Sequence, residues 1–94
     1  MATLHVEVTE QDIADGVRGD CEHCAIVLAM RRLFPSAHYI WVDGSSTGIW
    51  NGRIGMKSRS WTLPESALEF IEHFDASEPV WPFSFDAEEL EVGA

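Results

Sequence analysis

The stretch DCEHCAIVLAMRRLFP, residues 20–35, decides how the rest of the chain must fold. Ala25, Ile26, Val27, Leu28, Ala29 and Met30 follow one another without a polar residue, and a helix that is apolar all round is normally buried by its own domain. Asp20 stands where a carboxylate can accept an unpaired backbone N–H of a first turn, as an N-cap. Arg31 and Arg32 place cations at the carbonyl-rich end of the helix, and Pro35 stops it at or before the preceding residue. The spacing predicts a central helix lined by Ile26, Leu28, Ala29, Met30 and Leu33, with the remaining chain as its cover.

Composition agrees with that picture. The chain has 94 residues, of which 46% are hydrophobic, including four tryptophans and five phenylalanines. This is the size of one domain and enough apolar material for a core without disulfide or metal staples. No apolar run approaches the roughly 18–20 residues that span a bilayer, and no basic segment followed by an apolar one marks a secretory signal. A cytoplasmic protein with two reduced thiols is expected.

Charge is unevenly spread, with sixteen acids against six bases and a net charge of −10. Residues 1–17 and 60–94 hold no base at all, and every Lys and Arg falls within residues 18–59. Binding to phosphates requires clustered Lys and Arg that displace counterions, so direct nucleic-acid binding is not expected. A basic protein surface is the partner such a field attracts.

Outward from the central helix, Thr3–Val8 alternates Leu4, Val6 and Val8 with polar residues, the period of a half-buried strand. Thr9 opens a capping box closed by Asp12, giving a short helix over residues 10–15 that should end at Gly16 as a left-handed C′ residue. Residues 38–42 and 47–50 read as strands, and Asn51-Gly52 reads as a hairpin turn leading to a return strand over residues 53–58. Its outward face would present Arg53, Lys57 and Arg59. Pro64 suits the first position of a helix running to Asp75, with Ala67, Leu68, Ile71 and Phe74 at helical spacing. Pro79 and Pro82 confine the following apolar segment to an edge strand or an extended arm, and residues 86–94 form a fraying acidic tail. The predicted fold is a single α+β domain of order β-α-α-β-β-β-α-β, with an antiparallel sheet covered on one face by the two main helices. The other face would hold some of the tryptophans and could seat a partner or a second copy of the chain.

One spacing carries possible chemistry. Cys21-Glu22-His23-Cys24 is a C-x-x-C pair at a predicted helix start, where the dipole favours a thiolate and thiol–disulfide exchange. With two further ligands from His5, His23, His38 or His73 it could hold zinc. One C-x-x-C is only half a site, and no second C-x-x-C or H-x-x-x-H completes it unless a homodimer supplies the other half. No metal or cofactor is therefore expected, and Cys24 reads as a small core hydrophobe. Ser45, Ser46 and Ser60 have no neighbouring base to activate them, and the chain is not expected to be an enzyme. Trp50, Trp61 and Trp81 read as core or rim packing. The candidate partner-binding residues are acids: Glu65, Glu69 and Glu72 at i, i+4 and i+7 on one helix face, continued by Asp75 and Glu78. Like charges at that spacing repel by a few tenths of a kcal/mol per pair unless something basic neutralises them.

Four segments together carry a resemblance. T-E-x-D-I from Thr9, G-V-R-G-x-C-x-x-C-x-[IV]-x-L-A-x-R-R from Gly16, F-I-x-x-F-D from Phe70 and P-F-x-F from Pro82 resemble small uncharacterised proteins of actinobacteria and their phages. The sequence departs from that pattern at Ala25, where proline is usual. The resemblance implies a phage context and carries over no functional residue. The expected function is thus a non-enzymatic acidic protein that binds a basic host protein, in its sharpest form an anti-defence inhibitor of the anti-CRISPR kind that imitates nucleic acid. The alternatives are a metal or thiol-redox module on Cys21 and Cys24, and a structural or assembly component of a phage particle.

Overall fold

The computed structural model describes residues 3–20, 22–50 and 58–90. Its elements run β1 (Thr3–Val8), α1 (Glu10–Asp15), α2 (Ala25–Leu33), β2 (Tyr39–Val42), β3 (Ser46–Trp50), β4 (Arg59–Thr62), α3 (Glu65–Asp75) and β5 (Phe83–Glu89). This is the expected α+β order, with one five-stranded antiparallel sheet of spatial order β1-β5-β4-β3-β2. None of the described helices is long and apolar enough to cross a membrane.

The capping box of α1 forms as the sequence requires. The Asp12 N–H donates to the Thr9 hydroxyl at 3.2 Å and the Thr9 N–H donates to Asp12 Oδ2 at 2.9 Å. Gly16 ends the helix for a different reason from the one expected, because its φ is −68° and not left-handed. A Cβ at Gly16 would lie 2.6 Å from the backbone nitrogen of Ala25 and 2.9 Å from the Asp12 carbonyl oxygen. Glycine is needed here so that the start of α2 can press against the end of α1.

The central helix begins later than Asp20. Cys24 occupies its N-cap, and Asp20 instead stabilises the preceding turn, accepting the Glu22 N–H at 2.8 Å and bonding His23 Nδ1 at 3.1 Å. The Val17 N–H donates to the His23 carbonyl at 2.8 Å, closing that turn before α2 starts. Ala25, Ile26, Val27, Ala29 and Met30 are buried, as their unbroken apolar run demands, whereas Leu33 is 44% exposed.

β5 overturns the expectation of an edge strand. It pairs with β1 from Thr3↔Glu88 to Val8↔Phe83 and with β4 at Trp61↔Glu89 and Thr62↔Glu88, so it lies inside the sheet. Pro79 and Pro82 precede the strand and remove no donor from its ladders. Asp86 and Glu89, assigned from sequence to a fraying tail, belong to this strand, and only residues 91–94 of that tail lie outside the described residues. β3 pairs with Arg59–Thr62 in the register Ser46↔Thr62 to Ile49↔Arg59. Residues 51–57, with the expected turn and Arg53 and Lys57, lie outside the described residues.

One face of the sheet meets the helices. Val6, Val8, Ile40, Val42, Ile49, Trp61, Phe85 and Ala87 turn into a core with Ile26, Met30, Ala67, Phe70 and Phe74. The opposite face carries His5, Glu7, Asp86 and Glu88 on β1 and β5, and Tyr39 and Trp41 on β2, where those two rings stack at 5.9 Å. Trp41 lies across Gly48 of β3, whose Cβ would come within 2.2 Å of the ring.

Candidate functional site

α3 begins after Pro64, which sits at the N-cap, one position before the expected one. Ala67, Phe70 and Phe74 are buried on its inner face, and this fixes Glu65, Glu69 and Glu72 on its solvent face. Among the described residues these three glutamates make no hydrogen bond and no ion pair. Only Glu65 gains from the helix N-terminus. Asp75 and Glu78, grouped with them from sequence, are occupied within the fold. Asp75 Oδ1 accepts the Gly19 N–H at 2.9 Å, and Glu78 Oε1 meets His73 Nδ1 at 2.9 Å.

The end of α3 is locked. The Glu78 N–H donates to the His73 carbonyl at 2.9 Å and the Ser77 N–H to the Phe74 carbonyl at 3.1 Å. This is the paired closure of a Schellman motif, with Ser77 at φ +61° where glycine is usual. Arg18 reaches this end from the α1–α2 connection, its guanidinium 5.0 Å from the Phe74 ring centroid. That contact puts a base beside α3 which no local spacing announces.

Two other carboxylates, Asp12 and Glu89, are held by guanidinium groups. Asp12, 5% exposed, receives both terminal nitrogens of Arg32, which is 49% exposed and also donates to the Glu7 carbonyl at 2.7 Å. Burial alone would raise the Asp12 carboxyl, but the Arg32 hydrogen bonds and the Thr9 N–H outweigh it and hold it below its ordinary value. Arg59 makes two hydrogen bonds to Glu89 at 3.0 and 3.1 Å and lies 5.0 Å from the Trp61 ring centroid, on the core side of the sheet and not on an outward basic face. Asp12 and its guanidinium were not legible from spacing, since the two residues are twenty apart and on different helices.

Only one cysteine of the C-x-x-C pair is described. Cys21 lies outside the described residues, and Cys24 is buried. Burial pushes the Cys24 thiol up, the nearby Asp75 adds to the rise, and the Val27 and Ile26 N–H groups only partly offset it. A thiol held protonated is a poor nucleophile. A 230 Å³ cleft beside it is lined by Asp20, Cys24, Asp43, Ile71 and Asp75, among others. Its carboxylates already accept N–H groups from Glu22, from Ser45 and Ser46, and from Gly19. Among the described residues no three His, Cys, Asp or Glu side chains gather as a metal-ion set.

Trp81 departs most from its sequence reading. Trp61 is fully buried, but Trp81 is 72% exposed on the connection between α3 and β5. Between the prolines at positions 79 and 82 only Val80 packs against the core, and no local spacing in the sequence distinguishes it from Trp81. No protein-family model, curated protein or solved structure matches the chain.

Proposed function

We propose that this chain is a non-enzymatic binding protein whose acidic α3 face captures a basic surface on another protein. The observation that carries this is the contrast on α3 itself: Glu65, Glu69 and Glu72 are exposed without an internal partner, while Asp75 and Glu78 are engaged. Three like charges at helical spacing oppose folding slightly, and a basic partner removes that repulsion on binding. A surface of this kind speeds encounter and makes the complex sensitive to salt. The resemblance of the chain to small proteins of actinobacteria and their phages favours a host protein as the target. An anti-defence inhibitor that competes with nucleic acid for a basic groove is the sharpest form of this proposal.

The test is capture from bacterial lysate by the tagged chain at low and at high salt, with the retained proteins identified. A partner with a basic surface, released by salt and displaced by nucleic acid, is expected. Retention of further copies of the chain, or of particle proteins that resist salt, would favour an assembly component instead.

A further inference from the structure

Beside the acidic stripe lies a groove of 250 Å³ that joins α3 to the connection preceding β5. Glu69 and His73 form one wall, Trp81 and its flanking prolines the other, and Phe70 and Phe83, stacked at 4.7 Å, form the floor. Phe70 is buried, so the floor is part of the core and does not shift easily. Pro79 and Pro82 restrict the backbone on either side of Trp81, and the His73–Glu78 pair and the Schellman closure anchor the start of that segment to α3. Trp81, 72% exposed, thus lines one groove with Glu69, which has no ion-pair partner among the described residues.

We infer, resting on the function proposed above, that this groove is the arginine pocket of the binding surface: it takes the side chain of an arginine on an extended basic segment of the partner. The chemistry matches group by group. An arginine stem is apolar and suits the phenylalanine floor. Its guanidinium is planar, weakly hydrated for a cation, and stacks on tryptophan while hydrogen-bonding a carboxylate in a fork, which lysine cannot do. Glu69 is the carboxylate in reach of such a cation. A second depression, bordered by Glu7 and Glu10, shares the lining residues Pro82 and Phe83 with this groove. Acids on both sides of the shared residues suit an extended polybasic segment.

Two peptides test this by NMR on the intact protein: a short extended peptide with alternating arginines, and its counterpart with every arginine replaced by neutral citrulline. The arginine peptide is expected to shift the indole N–H of Trp81 and the amides of Glu69 and His73, and the citrulline peptide to bind at least tenfold more weakly. Trp81→Ala should weaken the arginine peptide about tenfold, the 1–2 kcal/mol scale of a partly desolvated cation–π contact, with an unchanged melting temperature because the side chain is exposed. A lysine peptide should bind more weakly than arginine. Equal binding of arginine and citrulline peptides, or shifts at Glu65 and Glu72 with none at Trp81, would overturn the pocket. The second pattern would leave the broader acidic-face function standing. A Trp81 shift that persists when Glu65 and Glu72 are reversed to lysine, in a chain that captures no basic partner, would instead support the pocket and remove that function.

Discussion

Two acidic regions of this protein share a charge and differ in everything else. At the junction of α1, α2 and β1, Asp12 is nearly buried, closes a capping box and is held by Arg32, which also ties down the Glu7 carbonyl. On α3, Glu65, Glu69 and Glu72 stand in solvent with no partner among the described residues. The first region uses a carboxylate to join elements. The second keeps carboxylates at a small cost to its own helix. The same fold pairs its acids in one place and leaves a row of them unpaired in another.

The comparison is broken most severely at Asp12. Asp12→Ala should cost about 3 kcal/mol, because it removes an N-cap partner and leaves Arg32 without its ion pair; a urea melt measures it. The acid limb gives an independent check. Folding lowers the Asp12 pKa from its ordinary 3.8, so its stabilisation is present above that value and is lost as pH falls through the folded one. Asp12→Asn should therefore flatten the loss of stability on acidification. Gly16→Ala attacks the same junction through the backbone, since the neighbours it would strike are main-chain atoms of Ala25 and Asp12. A loss of about 1–3 kcal/mol is expected.

On the other side of the comparison, effects on stability should be small. Ser77 holds a left-handed conformation at the end of α3. Ser77→Gly relieves the side-chain clash and gives back part of that gain to the unfolded chain, so a net stabilisation of about 0.5 kcal/mol is expected in a thermal melt.

Sequence periodicity carried the element order, the capping box and the burial of the helix from Ala25 to Met30, because each depends on neighbours within a few residues. It also placed the three glutamates on the outer face of α3. What it missed depends on distant contacts. Asp20 was placed as the helix cap because nothing local shows that Val17 and His23 close a turn ahead of α2. Pro79 and Pro82 argued against an interior strand, and the strand begins just beyond them at Phe83. Arg59 looked like an outward basic residue until Glu89 and Trp61 were brought beside it. The Trp81 groove is likewise tertiary, since its floor joins Phe70 to Phe83 across the end of α3.

The central claim is that the α3 glutamates are kept for a partner and together contribute little to stability. The direct measurement is the triple variant Glu65→Lys, Glu69→Lys and Glu72→Lys, melted alone and then tested for capture of the parent protein's partner at low and high salt. An unchanged or slightly higher melting temperature is expected, because each like-charge pair costs only a few tenths of a kcal/mol, together with loss of capture at every salt concentration. A variant that melts alike and still captures the same protein, equally at low and high salt, would contradict the claim and leave the acidic face as solvation alone.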